Sequence, residues 1–157
     1  MKFAIRAHGD QKYGPYPYVY HLVMVDEVLN KFGWYAEEHR AAAYLHDILE
    51  DTKITKEELE KEFGLTISSL VYLVTNEPGK NRKEKHEKTY PKIRTSSLAT
   101  VLKIADRIAN VRFSIETESP LLKMYKEEHE EFKKILQRGN ECISMWDELD
   151  NLLKGNG

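Results

Sequence analysis

The chain predicts an all-α fold of about eight helices, on three observations. Apolar residues recur at helical spacing, as in Leu22, Val25, Val28, Leu29 and Phe32, and again in Leu98, Val101, Leu102, Ala105 and Ile108. Strict apolar-polar alternation, the mark of half-buried strands, is scarce. The punctuation is helical too: Gly33 and Gly64 sit where C′ residues belong, Thr55-x-x-Glu58 reads as a capping box, and Ser119-Pro120 reads as an N-cap followed by the first helical residue. Taken in order, these signals place helices near 2–8, 20–32, 36–49, 56–63, 66–75, 97–113, 120–138 and 140–154. Between the first two, GDQKYGPYPYVY is rich in Gly, Pro and Tyr and reads as a loop leading into His21. Residues 76–79 read as a turn. The stretch NRKEKHEKTYPKIR reads first as solvent-exposed charge and second as a surface that steers a polyphosphate or touches RNA; as Pro91 and the mixed signs argue against a long rigid helix, it also fits a mobile active-site flank.

At 157 residues the chain fits one domain, 1–157, with a radius of gyration of about 15 Å. Hydrophobic residues at 41% and charged residues at 32% describe a chain that can bury a core, not a disordered one. The net charge of -2 argues against a nucleic-acid partner or an anionic membrane as the main target. One local exception stands out, since Lys80 to Arg94 carries seven basic and two acidic side chains. A single cysteine, Cys142, excludes an internal disulfide. With no leader-like or 18-residue apolar run, the expected location is a reducing cytoplasm.

The chemistry concentrates around His46-Asp47. On a helix these neighbours would lie about 100° apart and flank one ion. Glu50 is i+4 from His46, and Asp51 is i+4 from Asp47. Carboxylates at a helix C-terminus oppose the macrodipole, and a bound cation would offset that cost. Downstream, Asp106 and Asn110 are i, i+4 on a mostly apolar stretch, where a carboxylate is usually paired or metal-bound. Upstream, His21 could complete a set of two imidazoles and two carboxylates. Such a mixed nitrogen and oxygen set suits Mn²⁺, Fe²⁺, Co²⁺ or Zn²⁺ better than Ca²⁺ or Mg²⁺.

The order His, then His-Asp after 24 residues, then Asp after a further 58 resembles the HD superfamily of metal phosphohydrolases. FAIRAHGDQKYGPYPYVYH and AAAYLHDILEDTKITKEELEKEFG are similar to two blocks of the RelA/SpoT hydrolase domain, and LVYLVTNEP and KIADRIANVR to two more. The match runs from about Phe3 to Arg112 and continues loosely beyond, with no synthetase sequence following, as in the small alarmone hydrolases that include the metazoan SpoT homologues. The resemblance implies an HD-type helical bundle that holds a metal, usually Mn²⁺, with His21, His46, Asp47 and Asp106. It implies that Glu50 and Asp51 orient and deprotonate the attacking water, and that Lys12, Asn110 and Tyr125 contact the substrate. The implied reaction converts (p)ppGpp and water to GDP or GTP and pyrophosphate, so the expected partner is a nucleotide.

Three departures from the family pattern bear on the substrate. The loop between His8 and His21 is one residue short, Tyr13 replaces a commonly basic position, and Leu22 follows His21 where Pro is usual. Another phosphorylated nucleotide, such as the 2′-phosphate of NADPH or a product of a partner toxin, is the second reading. A non-catalytic HD binding module is the third. Tyr16, Tyr18 and Tyr20 either stack on a base or bridge loop and core, while His39, His86 and His129 have surface-like neighbours and His8 serves the loop.

Overall fold

A computed structural model describes residues 1–155. In chain order the elements are α1 (Lys2–His8), β1 (Lys12–Tyr13), β2 (Tyr16–Pro17), α2 (Val19–Lys31), α3 (Glu37–Leu45), α4 (Ile48–Asp51), α5 (Lys56–Val74), α6 (Arg82–Ile93), α7 (Ser97–Glu116), α8 (Leu121–Leu136) and α9 (Ile143–Lys154). The all-α expectation therefore holds apart from one two-residue antiparallel ladder, which pairs Lys12 with Pro17 and Tyr13 with Tyr16.

The long helix α7 is the axis. Val101, Leu102, Ile104, Ala105, Ile108, Ala109 and Val111 are at most 1% exposed, so this helix is apolar nearly all round, as a central helix must be. Around it pack Val25, Val28 and Leu29 of α2, Leu70 and Val74 of α5, and Phe132, Trp146 and Leu149 of the last two helices. Each fully buried aliphatic side chain contributes about 1.5–3 kcal/mol, so α7 is held by many independent increments. A second cluster of Ala4, Leu22, Leu45, Ile48, Leu59 and Val71 joins α1, α2, α3, α4 and α5.

The caps behave as the sequence implies. Thr55 and Glu58 form the reciprocal capping box, with Thr55 Oγ1 3.2 Å from the Glu58 amide and Glu58 Oε2 2.8 Å from the Thr55 amide. Gly64 adopts φ 81°, a conformation costly to any L side chain, and breaks α5 between the two segments expected on either side of it. The exception is α8, where Pro120, expected as the first helical residue, is the N-cap, and Ser119 Oγ before it accepts from the Leu121 amide.

Three expectations are corrected. The helix expected over 36–49 ends at Leu45 and restarts at Ile48, with Asp47 in the bridge region (φ −98°, ψ 0°). Glu50 and Asp51 thus lie in the single turn of α4 rather than at the end of a long helix, and the macrodipole argument does not apply to them. The basic stretch forms the 12-residue helix α6. Its start is capped by Asn81, whose side chain accepts from the Glu84 amide, and Pro91 is accommodated in its last turn, third from the end. The Gly-Pro-Tyr segment closes into the short hairpin, whose Gly14 (φ 56°) lies so close to Phe113 that a Cβ would meet its ring at 2.8 Å.

Candidate metal centre and its cleft

Four side chains from three parts of the fold converge. His21 comes from the first turn of α2, His46 and Asp47 from the break after α3, and Asp106 from the middle of α7. The two imidazole Nε2 atoms are 3.2 Å apart. Asp47 Oδ2 is 2.9 Å from His46 Nε2 and 3.5 Å from His21 Nε2, and Asp106 Oδ1 is 3.3 Å from His21 Nε2 and 3.7 Å from His46 Nε2. The break after Leu45 matters here, because it turns Asp47 back onto the ring that precedes it. His21, His46 and Asp106 are buried, and their donor atoms lie within 4.8 Å of one another.

The surroundings aim these donors. His46 Nδ1 lies 2.8 Å from the Ala43 carbonyl, which fixes the proton on that nitrogen and turns the Nε2 lone pair inward. The Tyr18 hydroxyl donates to Asp47 Oδ2 at 2.5 Å. Lys103 Nζ holds Asp106 Oδ2 at 3.0 Å, while Asn110 Nδ2 donates to Asp106 Oδ1 at 2.6 Å. Arg107, adjacent in sequence, turns away from Asp106 to pair with Glu128.

The electrostatics is that of a cation site. Burial works against ionising Asp47 and Asp106, yet the charge of His46 for the first and of Lys103 for the second outweighs it and holds both carboxyls well below their usual range. Burial likewise opposes charging His21 and His46, but the two carboxylates overcome it and raise both imidazoles, His46 the more. Burial also pushes the Tyr18 hydroxyl far up, with Asp47 adding to it, so Tyr18 stays a donor. Two imidazole nitrogens and two ionised carboxylates, with His46, Asp47 and Asp106 each oriented by a partner outside the set, fit a divalent transition metal.

The expected site residues divide. Glu50 and Asp51 line the same cleft as His21, Asp47 and Asp106. Both Glu50 oxygens accept from Asn76, at 2.7 Å from its amide and 2.9 Å from Nδ2. Asp51 Oδ2 accepts from Gln11 Nε2 at 2.8 Å, and Gln11 Oε1 meets His8 Nδ1 at 2.8 Å, which is the local role expected of His8. Tyr125 also lines the cleft. Asn110 does so with its amide engaged: beyond its bonds to Asp106, its Oδ1 accepts from the Tyr13 hydroxyl at 2.8 Å. Lys12 is not brought to this cleft. It lines a separate, more apolar depression with Gly14, Pro15, Phe113 and Leu121, and Tyr13 and Asn110 border it too. Tyr18 bridges loop and centre, whereas Tyr16 and Tyr20 stack on each other with ring centroids 4.4 Å apart.

Sequence reasoning reached the opposite wall only as the undivided basic stretch Lys80 to Arg94, open to a role in offsetting substrate charge, and did not single out its residues. Arg82 and His86 of α6, together with Arg107 and Lys103 of α7, face the metal centre across the cleft. His86 is not a surface residue: it stacks on Tyr90 at 4.6 Å, and burial, reinforced by Arg82, pushes its pKa down to about 4. His129 is buried as well, 2.7 Å from Asp150 of α9. The Asn81-x-x-Glu84 cap was the available signal for α6, masked by the charge of the residues that follow.

The HD domain family matches residues 1–135. The chain belongs to the HD domain family. Among characterised relatives, this HD domain is 34% identical over 119 residues to guanosine-3′,5′-bis(diphosphate) 3′-pyrophosphohydrolase MESH1 of Danio rerio, covering 71% of this chain and 65% of that protein. It is 34% identical over 98 residues to the same enzyme of Drosophila melanogaster, covering 61% of this chain and 55% of that one. The match thus spans less than two thirds of either relative. Superposition on a solved metazoan ortholog of SpoT, described as hydrolysing ppGpp, gives a TM-score of 0.83 at 25% identity over 99% of this chain and 92% of that one. A Listeria monocytogenes EGD-e structure shares the fold, with a TM-score of 0.73 at 24% identity over 86% of this chain and 92% of that one. Among the described residues no helix is long and apolar enough to cross a membrane.

Proposed function

We propose that the chain acts as one HD-type hydrolase domain, a metal-dependent (p)ppGpp 3′-pyrophosphohydrolase. The observation that carries this reading is the convergence of His21, His46, Asp47 and Asp106 at the floor of a cleft that also presents two further carboxylates and a basic wall. His21, His46, Asp47 and Asp106 would hold the ion, Mn²⁺ or another divalent transition metal. When bound, the ion supplies Lewis acidity that lowers the pKa of a coordinated water and polarises a phosphoryl oxygen.

The chain's own groups do the rest. Glu50, braced by Asn76, and Asp51, braced by Gln11, stand at the cleft to accept the proton of the attacking water. Asp51 takes its Gln11 bond at Oδ2, which leaves Oδ1 for that proton. Water oxygen bonds to the phosphorus attached at the 3′ position, the bond from that phosphorus to the 3′ oxygen breaks, and pyrophosphate departs while the 3′ oxygen gains a proton. Arg82, Arg107 and Lys103 offset the charge of the phosphates. Tyr125 lies between the two arginines, where it meets the substrate's flank.

Product analysis tests the proposal. With Mn²⁺, ppGpp should give GDP and pyrophosphate, and EDTA should stop the reaction; orthophosphate as the sole phosphate product would overturn it. A second reading keeps the metal site and changes the nucleotide, for instance to the 2′-phosphate of NADPH. It is favoured by Asn110, whose carboxamide is taken by Tyr13 and Asp106 rather than open to a base. A panel of phosphorylated nucleotides separates the two.

A further inference from the structure

The basic wall of the cleft contains a carboxylate that does not itself line it. Glu128, on α8, sits behind Arg82 of α6 and Arg107 of α7 and bridges them. Arg82 grips it in a fork, with Nε 2.5 Å from Oε1 and Nη2 3.2 Å from Oε2. Arg107 Nη1 reaches the same Oε2 at 2.9 Å. Arg107 lines the cleft but is braced from several other sides: it is 4% exposed, its Nη2 donates to the Tyr90 hydroxyl at 3.2 Å, and its guanidinium lies 4.9 Å from the Tyr125 ring and 4.5 Å from the Phe132 ring. The Arg82 side chain is 46% exposed, and Glu128 tethers it. Without that tether a long cation at the first residue of a helix would spread over many rotamers in solvent. With it, the Nε edge is engaged from behind and Nη1 remains for the cleft.

We propose that Glu128 is a positioning residue that holds Arg82 and Arg107 side by side as a preorganised clamp for the substrate phosphate not bound at the metal centre. This rests on the hydrolase reading for the identity of the substrate, but the clamp itself is a claim about polyphosphate binding. The bridge also resolves a conflict among like charges. Arg82, Arg107 and Lys103 converge on one wall and repel one another, while His86 adds no charge there near neutral pH because Arg82 and burial keep it deprotonated. Lys103 is compensated by Asp106, and Glu128 does the same for the two arginines. A guanidinium held by one edge presents the other to a phosphate at a small entropic cost, which is the usual advantage of preorganisation.

The test compares two anions on the Mn²⁺-loaded protein. Inorganic pyrophosphate carries a second phosphoryl group beyond the one held at the metal centre, and orthophosphate has none. Glu128→Ala should weaken pyrophosphate about 10-fold while orthophosphate changes by less than about 2-fold, the gap being one lost charge-assisted clamp. Glu128→Gln, which keeps the side-chain volume and one acceptor oxygen, should give a smaller loss in the same direction, with an unchanged thermal midpoint showing that the fold is intact. On ppGpp both variants should raise KM and leave kcat within about 3-fold, as expected for lost ground-state binding. Equal weakening of both anions, no change, or tighter pyrophosphate binding in both variants would overturn the proposal. If no nucleotide yields pyrophosphate with the unmodified protein, the hydrolase reading fails, and the anion comparison still decides the role of Glu128.

Discussion

The two walls of the cleft handle charge in different ways. At the metal pole, three buried side chains and the part-buried Asp47 crowd within 3.7 Å, and three of the four are fixed by partners outside the set: Ala43 for His46, Tyr18 for Asp47, Lys103 and Asn110 for Asp106. Across from it, Arg82 is nearly half exposed and long, and its order comes from one carboxylate on a helix far away in sequence. The first arrangement suits a small ion that needs fixed donors. The second suits a flexible, highly charged ligand that is gripped and then released. Losses at the metal pole should therefore abolish chemistry, and losses at the basic wall should only loosen binding.

The largest expected effect tests the metal pole directly. Asp106→Ala should reduce bound Mn²⁺ to background and pyrophosphate release by about 10³-fold or more, since several kcal/mol of transition-state stabilisation go with the ion. Metal analysis alongside product assays reads both. Glu50→Gln comes next: kcat should fall by about 10²-fold with metal content unchanged, the outcome expected for a proton acceptor beside an intact ion site. If Asp51→Asn costs more than Glu50→Gln, the roles of the two acids are reversed.

Arg82→Ala sharpens the contrast, because KM should rise about 10-fold while kcat and metal content hold. A fall in kcat to match Asp106→Ala would erase the distinction between the walls. His86 then offers a test by pH. Its folded pKa of about 4 lies below the ordinary value of 6.5, so between those limits the unfolded chain binds more protons and stability falls as the pH falls. From pH 7 to pH 5 the unmodified protein should lose roughly 1 kcal/mol that His86→Phe retains, measured as the urea midpoint. Smallest in functional effect is Thr55→Ala, outside the residues that line the cleft: about 1 kcal/mol of stability and no change in turnover.

The same contrast explains what could be read in advance. His21, His46, Asp47 and Asp106 are legible because a histidine beside a carboxylate in an apolar run, or an aspartate on an apolar helix, is costly without a purpose. Arg82 and His86 are not, since charges on a mixed Lys/Glu helix look alike whether they face solvent or a cleft. Lys12 was expected at the substrate, and the hairpin carries it to the adjoining depression instead. Asn110 was expected to contact the nucleotide, and the structure adds a bond to its Oδ1 from Tyr13, 97 positions away.

By itself the sequence determined the helical class, the capping box at Thr55 and the break at Gly64, and it pointed to His21, His46, Asp47 and Asp106 as candidate ligands, all from local periodicity, backbone conformational preference, residue chemistry and family pattern. Only the tertiary structure decided that the helix through His46-Asp47 breaks to turn Asp47 onto His46, that the charged segment forms α6 against the cleft, and that Glu128 binds two arginines from other helices. Those outcomes depend on which helix packs against which, a matter of long-range burial that no window of neighbouring residues contains.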